Sequence, residues 1–181
     1  MSILLLSGPI CVGKSSVARR LIDQHGFTSL RTGAYLANQA SKAGIPINRN
    51  TLQEIGDSLD IASDFKWVVD EVILPAIASH THVKRWLLDA VRKDRQVKHI
   101  RRTYCGEVLH VYLDASDSLL ESRYEARRAS GDDYSADVPY TLAVSHPNEQ
   151  AARQLRRIAD IVVPIATKSP DEIALEILGH Q

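Results

Sequence analysis

A single short segment near the N-terminus constrains the fold of this chain more than any other feature. Residues 8–15 read GPICVGKS, which matches the pattern G-x-x-x-x-G-K-[ST] of phosphate-binding loops. The apolar run of residues 3–6 precedes the loop, and apolar residues at helical spacing follow it until Gly26. This order of patterns predicts a buried strand, a glycine-rich loop (the P-loop) and an amphipathic helix.

The chemistry of a P-loop indicates which residues bind a nucleotide. Glycines let successive backbone N–H groups converge on phosphate oxygens, and the following helix adds its free N–H groups. We expect Lys14 to bring positive charge to the β- and γ-phosphates and the Ser15 hydroxyl to be a ligand of Mg²⁺. ATP and Mg²⁺ are therefore the predicted cofactors; the alternative is an ordinary strand–helix turn that contains glycine. The loop residues predicted to bind the nucleotide are Gly8, Cys11, Val12, Gly13, Lys14, Ser15 and Ser16.

Composition and charge exclude several classes of protein. The 181 residues suit one domain, 1–181, and 44% hydrophobic with 24% charged residues is typical of a globular chain. Lys plus Arg equals Asp plus Glu, 22 against 22, so no overall positive charge attracts nucleic acid or a membrane surface. Two cysteines are too few for a disulfide framework, and Cys11, near a helix N-terminus, is expected to have a lowered thiol pKa. We expect a cytoplasmic monomer or homodimer.

Strand and helix patterns alternate along the rest of the chain, which favours an α/β fold. Such alternation indicates a parallel sheet, here of five strands, flanked by helical crossovers. One predicted helix is capped by Asn50, and another, over residues 65–78, is expected to kink at Pro75. Ligands of parallel sheets bind beyond the carboxyl ends of the strands. Further strands are expected at 27–30, 86–88, 108–113 and 161–165, and further helices at 35–43, 94–102, 117–128, 149–158 and 170–178.

Three segments resemble those of adenylate-kinase-like nucleoside monophosphate kinases. Residues 86–96 read WLLDAVRKDRQ, which resembles the family segment D-G-x-P-R-x-x-x-Q with one residue fewer before the arginine. Residues 32–33 (Thr-Gly) resemble its T-G-D-x-x-R, and Arg123 and Arg127 resemble the arginines that open its lid. The resemblance extends to phage deoxynucleoside monophosphate kinases and to dephospho-CoA kinases.

This resemblance implies a fold and a reaction. The fold would be the three-layer P-loop NTPase fold with a small acceptor-binding flap, about residues 32–78, and a short lid, about residues 123–137. The reaction would be ATP- and Mg²⁺-dependent phosphoryl transfer to a nucleoside or deoxynucleoside monophosphate. The partner of the protein would then be a small-molecule nucleotide acceptor, not a nucleic acid or a membrane.

Polar residues after the predicted strand at 86–88 are the next candidates for the site. Asp89 ends a strand beside the P-loop strand and is a candidate Mg²⁺ ligand; the alternative is a helix cap. The planar guanidinium of Arg92 suits bidentate binding of the acceptor phosphate, unless it is one solvated arginine in a basic run. Gln96 is a candidate for recognising a base edge, and an exposed helix residue is the alternative.

The predicted helix at 117–128 carries the other candidate cations. Arg123 and Arg127 share one face, because residues four apart on a helix are neighbours. Together with the polar tip that follows, they suit a lid that adds positive charge to ATP and to the transferring phosphoryl group. Surface ion pairs with Glu121 and Glu125 are the alternative.

The chain departs from the nucleoside monophosphate kinase pattern at two positions. Ala34 and Ala37 stand where the family has aspartate and arginine. We therefore expect Arg31 or Arg49 to contact the acceptor phosphate, with Thr32 and Gly33 beside it, and the sequence leaves open which arginine does so.

Two other functions remain as alternatives. A different small-molecule P-loop kinase, of the dephospho-CoA or sugar type, would phosphorylate a hydroxyl group and would use Asp89 as its general base. A non-catalytic nucleotide-binding or switch module is the second, although the chain has no guanine-reading N-K-x-D segment and has Ala90 where an ATPase would have glutamate. Residues 146–149 (HPNE) are interpreted as a turn that leads into a helix.

Overall fold

The computed structural model describes residues 1–130 and 138–180, and its centre is the first strand. Strand β1 (Ser2–Ser7) pairs in parallel with β3 (Arg85–Leu88) on one side and with β4 (Val108–Asp114) on the other. Strands β2 (Thr28–Ser29) and β5 (Ile161–Pro164) complete a parallel five-stranded sheet of order β2-β3-β1-β4-β5. The predicted α/β fold is therefore confirmed, and β1 is central because its apolar run is covered on both faces.

Alternate residues of β1 pack into different hydrophobic clusters on the two faces of the sheet. Leu4 and Leu6 belong to one cluster, while Ile3 and Leu5 belong to the other. All four side chains have no exposed surface. Helices thus form the outer two of the three predicted layers.

Nine α-helices lie in the part of the chain that the structure describes. They are α1 (Lys14–His25), α2 (Thr32–Lys42), α3 (Arg49–Ala62), α4 (Leu74–Ser79), α5 (Asp94–Thr103), α6 (Asp117–Ala129), α7 (Tyr140–Ser145), α8 (Pro147–Gln154) and α9 (Pro170–Leu178). A π-helical segment, Val68–Ile73, leads into α4, and a 3₁₀ turn, Leu155–Ile158, follows α8. None of the helices described here is long and apolar enough to cross a membrane.

The start of α3 differs from the sequence prediction. Asn48, not Asn50, is its N-cap: its side chain accepts a hydrogen bond from the Thr51 N–H at 3.0 Å, and Thr51 Oγ1 accepts one from the Asn48 N–H at 3.1 Å. This reciprocal capping box satisfies two backbone donors at once, whereas Asn50 lies inside the first turn.

Two further helical segments also differ from prediction. Helix α2 begins at Thr32, so Thr32 and Gly33 lie in its first turn rather than in a loop. Before Pro75 the chain is π-helical, and the Leu74 N–H donates to the carbonyl oxygen of Val69. Proline lacks an N–H and crowds the preceding turn, and the wider π-helical turn accommodates it.

Candidate active site

The P-loop connects β1 to α1 at the carboxyl edge of the sheet. A side chain is excluded at Gly8, where φ is +145° and a Cβ atom would lie 2.6 Å from the carbonyl oxygen of Leu113. Gly13 caps α1 with φ +98°, again in the left-handed region that favours glycine. The two motif glycines therefore allow close packing against β4 and the entry into the helix.

Lys14 lies over its own loop. Its Nζ donates hydrogen bonds to the carbonyl oxygens of Gly8 at 2.7 Å and Pro9 at 2.9 Å. Burial, together with the positive charge of Arg92, lowers the Lys14 pKa to about 8, although Glu149 and Asp89 act in the opposite direction. The ammonium group is thus placed where the loop would hold phosphate.

A cavity of about 200 Å³ adjoins the P-loop and brings several predicted residues together. Its lining includes Gly8, Cys11, Gly13, Lys14, Ser15, Ser16, Asp89, Arg92 and Arg127. Ser15 and Asp89 offer the oxygen ligands that Mg²⁺ prefers. No cluster of three or more His, Cys, Asp or Glu side chains in residues 1–130 and 138–180 has the arrangement of a metal site.

Glu149 is a residue of this cavity that the sequence did not single out. Its Oε1 accepts a hydrogen bond from the Ile10 N–H at 2.8 Å, across 139 residues of sequence. Arg153 Nε lies 3.3 Å from the same oxygen, and the Glu149 side chain is only 14% exposed. A carboxylate therefore takes a P-loop amide that is suited to a phosphate oxygen. The turn interpretation of residues 146–149 accounted for the helix start but gave no sign of this contact.

The arginines of α6 approach the P-loop from the side of β4. Arg123 Nη1 donates to the Val12 carbonyl oxygen at 3.3 Å, and Arg127 lines the P-loop cavity. Arg128 instead pairs with Glu125 at 3.1 Å, as in the surface ion-pair alternative. Residues 131–137 of the predicted lid lie outside the described residues.

The prediction for Cys11 is wrong. Burial raises its thiol pKa, and this outweighs the positive charges of Arg127, Lys14 and Arg123, which act in the opposite direction. Desolvation disfavours the thiolate, so helix position alone does not make this cysteine reactive.

A larger cavity, of about 500 Å³, lies beside the P-loop cavity and has a mostly apolar wall with polar groups at defined points. Residues Ala90, Val91 and Arg92 line both cavities, so the segment after β3 forms their junction. We call the larger one the acceptor cavity. Its lining includes, from the predicted set, Thr32, Gly33, Arg92 and Gln96.

The two candidate arginines for the acceptor phosphate are not placed alike. Arg31 is exposed, and it is not among the residues that line either of the two cavities described here. Arg49 is the first residue of α3, and its side chain lies outside the described part of the structure. Among the side chains that the structure describes, the cationic groups lining the acceptor cavity are Arg92 and Lys93, from the segment after β3.

Asp60 and Gln96 form a buried polar cluster on the cavity wall. Asp60 Oδ1 accepts hydrogen bonds from Trp67 Nε1 at 2.7 Å and from Gln96 Nε2 at 2.9 Å. Gln96 Oε1 accepts from the Arg92 N–H at 3.4 Å. Burial raises the pKa of Asp60, although the bonds from Trp67 and Gln96 oppose the change. Gln96 is 7% exposed, so the interpretation as an exposed helix residue is wrong.

The start of α8 joins the acceptor cavity to the P-loop. Asn148 Nδ2 donates to the Asp57 carboxylate of α3 at 3.3 Å, and Gln53 Nε2 lies 2.8 Å from His146 Nε2. The neighbouring Glu149 contacts the P-loop at Ile10. One short segment therefore touches both parts of the site.

The sheet order and the loop after its central strand define the class: an α/β protein with the fold of the P-loop kinases. Residues 3–140 match the model of a family described as an AAA domain, and the chain belongs to that family. This supports the resemblance to nucleoside monophosphate kinases at the level of the P-loop kinase fold and leaves the acceptor open.

Solved structures share this fold along nearly the whole chain. A gluconokinase from Sinorhizobium meliloti 1021 is 19% identical with a TM-score of 0.54, covering 98% of this chain and 90% of its own. A shikimate kinase from Acinetobacter baumannii, in complex with shikimate, is 18% identical with a TM-score of 0.56, covering 99% and 92%. A sugar kinase from Janibacter sp. HTCC2649 is 16% identical with a TM-score of 0.55, covering 99% and 93%. No curated protein matches the sequence.

Proposed function

We propose that the protein is a kinase that transfers the γ-phosphoryl group of ATP, with Mg²⁺, to a nucleoside or deoxynucleoside monophosphate in the acceptor cavity. The observation that carries the proposal is the junction of the two cavities at Ala90, Val91 and Arg92. One cavity adjoins a phosphate-binding loop, and the other has a volume of about 500 Å³, within the usual range for small-molecule sites.

Different residues of the site would neutralise the charges of the donor and of the acceptor. In this proposal Lys14, Arg123 and Arg127 would neutralise the donor phosphates, and Arg92, at the junction of the two cavities, would bind the acceptor phosphate. Bound Mg²⁺, held by Ser15 and Asp89 with phosphate oxygens, would neutralise charge on the transferring group. The acceptor phosphate is already an anion, so no protein nucleophile is required. Catalysis then consists of positioning and electrostatic stabilisation.

The position of Glu149 places a requirement on nucleotide binding in this mechanism. Its carboxylate occupies the Ile10 N–H that a phosphate oxygen would use, at 2.8 Å. Nucleotide binding at that amide therefore requires the Glu149 carboxylate to move away from Ile10. Arg153 is placed to remain the ion-pair partner of that carboxylate after it moves.

A hydroxyl acceptor is the second candidate function. Asp89 lines the P-loop cavity close enough to influence the Lys14 charge, so it is placed to take a proton from a hydroxyl group. The fold neighbours named as gluconokinase and shikimate kinase make this class of acceptor worth testing.

Product analysis separates these functions. The purified protein is incubated with ATP, Mg²⁺ and single acceptors: ribo-, deoxyribo- and modified nucleoside monophosphates, dephospho-CoA, gluconate and shikimate. Diphosphate products support the proposal, and a phosphorylated hydroxyl group supports the second candidate. Binding of ATP without transfer to any acceptor would contradict both and favour a nucleotide-binding module. Lys14→Ala, measured in parallel, controls for contaminating kinases.

A further inference from the structure

We propose that Asp60 determines which acceptor base is accepted, selecting nucleobases that present an exocyclic amino group over those with an oxo group at the same position. This inference rests on the proposed function, because it names the kind of nucleotide that the acceptor cavity takes. It assigns the reading of the base to Asp60 on α3 rather than to Gln96, the residue that the sequence suggested.

The two carboxylate oxygens of Asp60 are in different situations. Oδ1 accepts two hydrogen bonds, from the Trp67 indole and from the Gln96 amide. Oδ2 has no hydrogen-bond partner within residues 1–130 and 138–180, yet it is not among the fully buried polar atoms that lack one. The residue is 4% exposed and lines the acceptor cavity, so the small accessible surface of Oδ2 faces that cavity.

The carboxylate is held firmly in this orientation. The Trp67 ring that donates to Oδ1 stacks on Tyr35, with ring centroids 5.7 Å apart. The Gln96 side chain that donates to Oδ1 is itself oriented by the Arg92 N–H. Gln96 is therefore a positioning residue, since both ends of its amide already serve internal hydrogen bonds. A preorganised Oδ2 is left for the ligand.

The chemistry of Oδ2 sets the selection. An ionised carboxylate accepts hydrogen bonds and donates none, so a ligand must bring an N–H or O–H group to it. An amino group of cytosine or adenine supplies that donor, whereas the oxo group of uracil or hypoxanthine would place a second acceptor against the carboxylate. The apolar walls beside it, Leu36, Leu52, Trp67 and Val68, suit a flat ring. Arg92, whose N–H binds the other end of the Gln96 amide, suits the phosphate of the acceptor.

The test uses pairs of acceptors that differ only in this group: cytidine against uridine monophosphate and adenosine against inosine monophosphate, each also as the deoxyribonucleotide. For the wild type we expect the amino member of at least one pair to have a kcat/KM about tenfold or more above its oxo partner. Asp60→Asn keeps an oxygen for Trp67 and Gln96 but turns an NH₂ group toward the cavity. It should abolish or reverse that preference, mainly through the acceptor KM, while the ATP KM stays unchanged.

Controls make the outcome decisive. Asp70→Asn changes an exposed aspartate of the π-helical segment and should leave the amino-to-oxo ratio unchanged. If Asp60→Asn does not fold, as judged by thermal denaturation, Trp67→Phe replaces it. That variant removes one donor to Oδ1 but keeps an aromatic ring, and it should weaken the preference.

Three results would overturn the inference. One is equal use of amino and oxo acceptors by the wild type. Another is an amino preference that survives in the Asp60 variant or, where Trp67→Phe replaces it, an amino preference as large as that of the wild type. Both leave the proposed kinase function standing. Failure to phosphorylate any monophosphate overturns the proposed function, and the inference with it.

Discussion

The P-loop and the acceptor cavity are built in opposite ways, although they adjoin each other. The P-loop is a continuous segment whose binding groups are mostly backbone amides, with glycine required at Gly8 and Gly13 by backbone geometry. The acceptor cavity is assembled from side chains of α2, α3, the π-helical segment, the segment after β3, α5 and α8. The phosphate-binding part of the site therefore depends on local backbone geometry, whereas the adjoining cavity depends on how distant helices pack together.

The two regions are nevertheless linked through the start of α8. Asn148 contacts Asp57 on the acceptor side, and Glu149 contacts Ile10 on the donor side. An acceptor that displaced the first contact would act on the segment that carries the second. Substitutions in each region therefore test whether donor and acceptor binding are separate or coupled.

The largest effect is expected from the donor side. Lys14→Ala should lower turnover by about 10²–10³-fold, because it removes a charge aimed at the transferring phosphoryl group. The fold should stay intact, as measured by circular dichroism and thermal denaturation. Lys98→Ala is the matched control, since Lys98 forms an exposed ion pair with Asp94 at 2.7 Å and lines neither described cavity. Near-normal turnover of the Lys14 variant would show that the P-loop assignment is wrong.

On the acceptor side, Arg92→Ala should raise the acceptor KM by about 10- to 100-fold, which is typical for loss of hydrogen bonds to a charged group. ATP affinity, measured separately by calorimetry, should change little if the two regions are separate. Arg95→Ala is the control, because Arg95 pairs with Asp64 at 2.6 Å and lines neither described cavity. A collapse of ATP affinity with an unchanged acceptor KM would place Arg92 on the donor side.

A gain of nucleotide affinity is expected from Glu149→Gln. The variant removes a negative charge from the phosphate site while keeping an oxygen for the Ile10 N–H. ATP should bind about fivefold more tightly, which corresponds to roughly 1 kcal/mol of relieved repulsion. Glu71→Gln, at an exposed position of the π-helical segment, should have no effect. Weaker ATP binding by the Glu149 variant would instead give this carboxylate a direct part in binding the metal or nucleotide.

The smallest effect is a pH dependence of ATP binding. Burial lowers the Lys14 pKa to about 8, so the side chain is charged below that pH and loses its proton as the pH rises through it. At pH 8 about half of the free protein would carry a neutral lysine, and ATP affinity should be roughly twofold lower than at pH 7. Lys14→Met, which cannot titrate, should bind ATP weakly and without this change. An equal decline in both proteins would show that another group is responsible.

The sequence predictions were accurate for the P-loop and less accurate for the residues around the acceptor cavity. The strand, loop and helix of residues 2–25 could be predicted because each depends on neighbouring residues. The sequence predicted Asn50 as the N-cap of α3, whereas the structure shows Asn48. Both residues are asparagines, and only the backbone conformation distinguishes them. Arg31 does follow strand β2 in the sequence, but its side chain lines neither described cavity. No local sequence pattern indicates whether a side chain at this position reaches a cavity.

Local sequence patterns specify the order of elements, the buried central strand and the phosphate-binding loop, because hydrophobic periodicity and glycine geometry act over a few residues. Only the tertiary structure brought Glu149 to Ile10 and joined Asp60, Trp67 and Gln96 on one wall. Those contacts depend on how α3, α5 and α8 pack around the sheet. That packing is decided by the sum of many weak apolar contacts between distant residues, which no single motif encodes.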